Sequence, residues 1–269
     1  MPYQDRRQKN VDVFADTMRW YTSDEELGRA IRHSQQGTVL HSAEAIRIPE
    51  AALYRHEAEA RILVSADRTL QAARKYRGRK VLVLNFASAT NPGGGVLWGS
   101  SAQEESLCRC STLYPCLTTG TLWENYYLFH RNRMDDLYTD ACIYTPDVLS
   151  IKTDTANPER LPREEWQKVD VLTCAAPNLR QRDLDEAVLY DLHVQRAHQI
   201  LGAAAVHRAD VVILGAFGCG AFCNSPRVVA SAYKHSLDSF SRAFETVEFA
   251  VYCSPHDDTN YQVFREALE

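Results

Sequence analysis

The order of the apolar segments is the feature that most constrains how this chain can fold. Continuous apolar runs at residues 80–87, 168–176 and 210–217 are each followed by a loop and then by a helical pattern. A run that is apolar throughout is typical of a parallel strand buried on both faces. Strands that alternate with helices in this way predict a central mixed or parallel β-sheet flanked by helices, which is an α/β fold.

Weaker patterns complete the predicted order of elements. Residues 1–35 are polar with a helical pattern, and the acidic residues after Ser23 suit a helix start. Further strands are predicted at residues 38–48, 141–149 and 244–253, and further helices at residues 57–76, 185–206 and 260–268. A proline inside the run 141–149 favours an edge strand. The length of 269 residues suits one large α/β domain.

Charge and hydropathy exclude several classes of function. The formal net charge of −5 argues against nonspecific binding of DNA or RNA, which depends on many Lys and Arg contacts with phosphates. A single nucleotide diphosphate held by backbone amides is still compatible with this charge. No apolar run approaches the roughly 20 residues that span a bilayer. No apolar stretch follows the basic residues near the N-terminus either, so we expect a cytoplasmic protein without membrane contact.

The eight cysteines show no paired CxxC spacing. Several fall inside apolar runs, which favours small buried thiols. A zinc site built from Cys108, Cys110 and Cys116 is an alternative, although the usual ligand spacing is missing. The two aspartates that follow His256 are expected in an exposed loop rather than at a metal. We therefore expect neither a metal nor a cofactor.

Two glycine-rich loops follow predicted strands. The first glycine loop, residues 91–100 (NPGGGVLWGS), has three consecutive glycines that let the backbone approach a ligand and present its amides. A flexible turn is the alternative, since Asn-Pro-Gly is also a turn signal. The second glycine loop, residues 215–226 (GAFGCGAFCNSP), leads into a helix with Ser225 expected as N-cap and Pro226 as its first residue. Such a helix N-terminus favours a phosphate.

Neither loop matches the dinucleotide fingerprint GxGxxG or the phosphate loop that ends in Gly-Lys-Ser/Thr. A nicotinamide-dependent dehydrogenase or an ATPase is therefore poorly supported. The loops instead predict a site for another kind of nucleotide diphosphate, located where chain segments leave the carboxyl ends of the strands.

An acidic pair, Glu104 and Glu105, lies between the first glycine loop and its predicted helix. Ser101 and Glu104 have the spacing of a capping box, in which Glu104 would only cap the helix. The alternative is catalytic, because adjacent carboxylates beside a ligand loop can divide the work of glycoside cleavage. One would hold hydroxyl groups while the other moves a proton.

The segment 93–105 resembles the GGG-x(6–8)-QEE motif of poly(ADP-ribose) glycohydrolases, with seven residues between Gly95 and Gln103. The second glycine loop resembles the diphosphate loop of that family. The segments NFASATNPGGG and NYQVF are most similar to its shorter bacterial and fungal branch. The resemblance runs from about residue 10 to the C-terminus. It implies a single macrodomain-type catalytic domain over residues 1–269, with a central mixed β-sheet flanked by helices and an N-terminal helical extension over about residues 1–60.

The resemblance also implies roles for individual residues. Glu105 would donate the catalytic proton and later act as the base for water, and Glu104 would orient the terminal ribose hydroxyls. The implied ligand-binding residues are Asn91, Gly93, Gly94, Gly95, Val96, Gln103, Gly218, Cys219, Gly220, Ala221, Phe222 and Asn224. The implied reaction cleaves the ribose–ribose O-glycosidic bond of poly(ADP-ribose) from the chain end and releases ADP-ribose.

Other functions fit the same ligand. A module that only recognises ADP-ribose would have no need of the two acids. A hydrolase of mono-ADP-ribosylated protein, nucleobase or small molecule fits as well, because both loops would contact the shared ADP-ribose and not the leaving group. A generic nucleotide-binding protein would make the QEE spacing a coincidence. The expected partners are therefore ADP-ribose, poly(ADP-ribose) and ADP-ribosylated proteins.

Overall fold

A seven-stranded mixed β-sheet forms the centre of the computed structural model, which describes residues 3–254 and 257–269. Its strands are β1 (Val39–His41), β2 (Arg61–Ser65), β3 (Val81–Phe86), β4 (Cys142–Ser150), β5 (Gln167–Cys174), β6 (Val211–Leu214) and β7 (Thr246–Ala250). Their spatial order is β1-β4-β5-β3-β6-β7-β2. The strands from β5 to β2 run parallel, whereas β4 is antiparallel to both of its neighbours. The predicted mixed sheet is confirmed.

Helices cover both faces of this sheet. They are α1 (Tyr3–Ser23), α2 (Glu25–Gly37), α3 (Glu50–Leu53), α4 (Thr69–Arg74), α5 (Gln103–Cys110), α6 (Leu113–Leu117), α7 (Gly120–Leu122), α8 (Leu128–Arg133), α9 (Glu186–Val206), α10 (Pro226–Leu237) and α11 (Thr259–Leu268). A π-helical turn (Trp123–Tyr127) joins α7 to α8. In β3, Leu82 and Leu84 pack with α9 and α10, whereas Val81 and Val83 pack on the opposite face with α1, α4 and α5. Burial on both faces explains why β3 is apolar at every position except Asn85.

The predicted helix over residues 57–76 is wrong. The structure has strand β2 and the short helix α4 in this segment. Apolar residues such as Ile62, Ala66 and Leu70 happen to follow a helical spacing. The strand forms because β2 pairs in parallel with β7, from the other end of the chain, with Ile62 opposite Val247. Pairing between distant segments overrides local periodicity here.

The prediction of β4 as an edge strand is also wrong. It pairs with β1 over residues 142–144 and with β5 along its length. Pro146 lies at a register shift between Thr145 and Val148, where an irregular ladder tolerates a residue without an N–H. Strand β1 is only three residues long, so most of the strand predicted at residues 38–48 is irregular.

The helical pattern of the N-terminus is confirmed by α1 and α2, and Asp24 caps α2 by accepting the amides of Glu26 and Leu27. Helix α1 packs against the segment that carries the first glycine loop. The Asn10 side chain donates to the carbonyl of Gly99 at 2.9 Å, and the Thr17 hydroxyl donates to the carbonyl of Arg109 at 2.6 Å. The N-terminal region thus braces the candidate site.

Five cysteines are buried as predicted: Cys108, Cys110, Cys116, Cys142 and Cys174. Across residues 3–254 and 257–269, no three His, Cys, Asp or Glu side chains are grouped so as to hold a metal ion. Asp257 and Asp258, expected above in an exposed loop, are both exposed, whereas His256 lies outside the described residues. In this same part of the chain, no helix is both long and apolar enough to cross a membrane.

Candidate active site

A cavity of about 730 Å³ opens at the carboxyl ends of the parallel strands. The segments that follow β3, β5, β6 and β7 all contribute to its walls, with Ser88, Ala176, Gly218 and Val251 as examples. This is the expected position for a ligand of an open α/β sheet. Its size lies within the roughly 300–1,000 Å³ typical of small-molecule and cofactor sites.

The first glycine loop folds back on the two carboxylates. Gly93 and Gly94 have φ values of +69° and +60°, which only glycine adopts without strain. A methyl group on Gly94 would lie 2.5 Å from Glu105 Oε1 and 3.0 Å from Glu104 Oε2. Gly94 is therefore required because both acids approach its backbone, whereas a methyl group on Gly93 would meet Tyr114 and one on Gly95 would meet Ser100.

Glu104 is almost completely buried. Its Oε2 accepts the backbone amide of Ser88 at 2.8 Å, and its Oε1 accepts the side-chain amide of Asn85 at 3.3 Å. Burial raises the pKa of Glu104 to about 8, and the neighbouring charge of Glu105 adds to the rise while the two amide donors oppose it. Near neutral pH this buried pair of carboxyl groups therefore retains a proton.

Glu105 is 7% exposed and points into the same cavity. Its Oε1 accepts the backbone amide of Gly95 at 2.8 Å. Its Oε2 is buried and has no hydrogen-bond partner among the described residues. One oxygen of Glu105 is thus fixed by the loop, and the other, a buried oxygen without a partner in the described part of the chain, can hold a proton.

The capping box predicted from Ser101 and Glu104 does not form. Ala102 is the N-cap of α5 and makes no side-chain cap bond, because Glu104 is held by Ser88 and Asn85 instead. The Gln103 side chain accepts the amide of Phe86 at 2.9 Å and donates to the carbonyl of Leu84 at 2.7 Å. Gln103 therefore ties α5 to β3, which sets the direction of the two acids that follow it.

The second glycine loop forms the opposite wall. Gly218 has a φ of +77°, and a methyl group there would lie 2.6 Å from Ala176 Cβ. A methyl group on Gly220 would meet no atom within 4 Å, so this position is open toward the cavity. Pro226 begins α10 with Ser225 as N-cap, as predicted, although the Ser225 side chain makes no cap bond.

Asn224 stabilises the second glycine loop from inside the protein. Its amide group donates to the carbonyls of Pro177 at 2.7 Å and Gly218 at 3.0 Å. Burial lowers the pKa of His193 to about 4, so the neutral ring donates to Asn224 Oδ1 at 2.9 Å. With these bonds made, Asn224 is turned away from the cavity.

Most of the predicted residues meet at this one cavity. Its lining includes Asn91, Gly94, Gly95, Gln103, Glu104, Glu105, Gly218, Gly220, Ala221 and Phe222. Gly93, Val96, Cys219 and Asn224 lie behind this lining, and Val96 is fully buried.

Several residues of the site lie outside the set predicted from the sequence. Asn85 and Ser88 hold Glu104, and Tyr138 and Arg180 flank Phe222. Asn85 is a polar residue inside an otherwise apolar strand, and that break in the pattern is a usable signal. Tyr138 and Arg180 come from segments without a motif and are brought to the site only by the fold.

Together the fold and the cavity define an α/β protein with a nucleotide-sized site, in which a carboxylate pair faces glycine-rich backbone. The family model of the microbial-type PARG catalytic domain matches residues 11–153. Comparison with curated proteins gave no match.

Solved structures of bacterial poly(ADP-ribose) glycohydrolases (PARG) are similar over nearly the whole chain. The Thermomonospora curvata enzyme has 32% identity and a TM-score of 0.85, covering 97% of this chain and 100% of that one. The same enzyme bound to the inhibitor ADP-HPD has 33% identity and a TM-score of 0.83, covering 96% and 99%. The Deinococcus radiodurans enzyme in complex with ADP-ribose has 35% identity and a TM-score of 0.77, covering 89% and 97%. The chain belongs to the microbial-type poly(ADP-ribose) glycohydrolase family.

Proposed function

We propose that the chain hydrolyses poly(ADP-ribose) by cleaving the ribose–ribose O-glycosidic bond and releasing ADP-ribose. The observation that carries this proposal is the placement of Glu104 and Glu105 against the backbone of Gly94 inside a nucleotide-sized cavity. A protein that only bound ADP-ribose would gain nothing from burying two adjacent carboxyl groups, since their burial is costly.

Glu105 is the proposed proton donor. Its fixed Oε1 orients the carboxyl group, and its unpaired Oε2 is the atom that can carry a proton toward the leaving oxygen. As the bond between the anomeric carbon and that oxygen breaks, the ribose becomes oxocarbenium-like. Glu105 then takes a proton from the attacking water, which completes hydrolysis and restores the acid.

Glu104 is the proposed holder of the terminal ribose hydroxyls. Burial raises the pKa of Glu104 to about 8, so the two carboxyl groups hold one proton between them near neutral pH, and the pair can supply this proton through Glu105. Asn85 and Ser88 fix the orientation of Glu104. It acts by orienting the sugar so that the anomeric carbon faces Glu105.

The second glycine loop is the proposed diphosphate site. Open space at Gly220 and the amides of this loop suit an anion that approaches the backbone closely. Arg180 and Arg68 line the same cavity and add positive charge. Phe222, also at the cavity wall, is the proposed platform for the distal ribose.

We further propose that release proceeds from the chain end. Only the terminal unit needs to enter the cavity, which is consistent with a chain of net charge −5 that has no broad attraction for a polyanion. ADP-ribosylated proteins as partners and a cytoplasmic location remain predictions.

The test is to incubate the protein with poly(ADP-ribose) that is radiolabelled along its length and to separate the products by size over time. The proposal predicts that free ADP-ribose appears first while long chains shorten gradually. Early release of oligomers would contradict cleavage from the chain end. Release of ADP-ribose only from mono-ADP-ribosylated protein, or binding without any release, would overturn the proposed activity.

A further inference from the structure

A second, smaller cavity of about 300 Å³ lies on the other side of the first glycine loop from the two acids. Three residues, Asn91, Gly94 and Trp98, line both cavities. Gly94 is the residue whose backbone faces Glu104 and Glu105, so the second cavity is separated from the acids by little more than one residue of chain.

The second cavity is walled by aromatic rings. Trp98, Trp123 and Tyr114 line it, and the Trp98 side chain is 75% exposed. Tryptophan is rarely so exposed in a folded protein, because its large ring is normally buried for the most part. An open indole next to a reaction centre suits a flat ring that arrives with the ligand.

The backbone under Trp98 is rigid. The turn Val96–Trp98 is closed by the amide of Trp98 on the carbonyl of Gly95 at 3.0 Å. Gly99 follows with a φ of +73°, packed so closely on the carbonyl of Arg7 that no side chain would fit. The backbone that carries the exposed indole is therefore fixed and is not part of a loose loop.

Arg131 supplies a positive charge at the edge of this cavity. Its guanidinium lies 4.7 Å from the ring centroid of Trp123, and it donates to the carbonyl of Thr90 and to Asn91 Oδ1. Both acceptors are neutral, so the charge is not cancelled by these bonds. A ligand with a flat base and a phosphate would find both features within one small region.

We propose that this second cavity binds the adenosine part of the adjoining ADP-ribose unit, which remains on the polymer when the terminal unit is released. This inference rests on the proposed function, in which the leaving oxygen at Glu105 belongs to the adenosine ribose of the adjoining unit. The adenine stacks on Trp98 within the aromatic walls, and Arg131 attracts the diphosphate of that unit. The cavity would thereby favour poly(ADP-ribose) over substrates with small leaving groups.

The test compares two substrates, poly(ADP-ribose) and the 1″-O-methyl glycoside of ADP-ribose, which lacks the leaving adenosine. Stacking of a base on an aromatic ring corresponds to about a ten-fold effect on replacement by alanine. In Trp98→Ala we expect the ratio of kcat/KM for the polymer to kcat/KM for the glycoside to fall about ten-fold.

Trp98→Phe should restore most of the ratio, because a ring face remains. Tyr54→Ala removes another exposed ring that lines neither cavity, and it should leave the ratio unchanged.

An equal loss on both substrates would overturn the proposal, because Trp98 would then only support the first glycine loop. An unchanged ratio with full activity would overturn it as well. A wild-type protein that cleaves the glycoside but not the polymer, or neither of them, would instead refute the proposed function itself. The two failures are therefore distinguishable.

Discussion

The two glycine loops use glycine for different physical reasons. In the first loop, the space where a side chain on Gly94 would go is already filled by the carboxylates of Glu104 and Glu105. In the second loop, the space beside Gly220 is empty out to 4 Å. One loop is therefore shaped by the protein's own acids, and the other leaves room for a ligand. This difference suggests that the first loop governs the chemical step and the second governs affinity.

The loops are also braced from different parts of the chain. The first is held by Asn10 of α1 through the carbonyl of Gly99, and by Glu105 through the amide of Gly95. The second is held by its own Asn224 together with His193 of α9. Changes in α1 should therefore affect turnover more than binding.

Among the glycine substitutions, the largest effect is expected for Gly94→Ala. The added methyl would displace Glu105 Oε1, and a displacement of about 1 Å in a catalytic group can cost about 100-fold in rate. We expect kcat to fall at least about 100-fold while calorimetry still detects ADP-ribose. Gly78→Ala is the matched control, because Gly78 also has a positive φ but meets nothing within 4 Å. Equal losses of activity in the two variants would show that backbone strain, and not the acids, is responsible.

Gly220→Ala should weaken binding instead. The new methyl enters open space in the protein but occupies the place proposed for the diphosphate, so the Kd for ADP-ribose should rise about ten-fold. We expect kcat at saturating substrate to change little. Gly120→Ala serves as a control, since this glycine also has open space around it and lies outside both cavities. An unchanged Kd in Gly220→Ala would contradict the assignment of the second loop to the diphosphate.

A smaller activity effect is expected from Asn10→Ala. The change removes the bond to the carbonyl of Gly99 and leaves that buried acceptor unpaired, at a cost of about 1–3 kcal/mol in the free energy of unfolding. The first glycine loop should then sample more positions, and kcat should fall a few-fold at constant Kd. A rise in the Kd for ADP-ribose without a change in kcat would show that α1 braces binding and not chemistry.

The smallest effect concerns stability and pH. The pKa of Glu104 is about 8 in the folded protein, against an ordinary value of 4.5. Between pH 4.5 and about 8, the folded protein therefore binds a proton at Glu104 that the unfolded chain has lost. The corresponding stability is fully present below pH 4.5 and is lost as pH rises through about 8. We expect Glu104→Gln to remove this part of the decline in the free energy of unfolding, measured by urea titration across that range. A decline identical to that of wild type would contradict the raised pKa.

The sequence predicts the centre of this fold well and its margins poorly. Strands β3, β5 and β6 are buried on both faces, so their apolar runs are unambiguous. Strand β2 is at the edge of the sheet, and only its pairing with β7 distinguishes it from a helix. Pairing between strands that are distant in the sequence depends on the whole chain, so no local pattern of residues shows it.

The same limit applies to the candidate site. The GGG and QEE segments predict which residue types meet at the site. They do not predict that the side chains of Gln103 and Asn224 form hydrogen bonds within the protein and not with a ligand. The partners of Glu104 were missed because Asn85 and Ser88 lie outside the motif. Trp123 and Arg131 reach the first glycine loop only through the fold.

The most direct test of the division between the loops is Glu105→Gln, examined by single-turnover cleavage of poly(ADP-ribose) and by calorimetry with ADP-ribose. Loss of a general acid that also serves as base predicts a fall in the cleavage rate of about 1,000-fold, with the Kd for ADP-ribose changed by no more than a few-fold. A variant that cleaves at a rate close to that of wild type would contradict the account, because the proton would then come from a group other than Glu105.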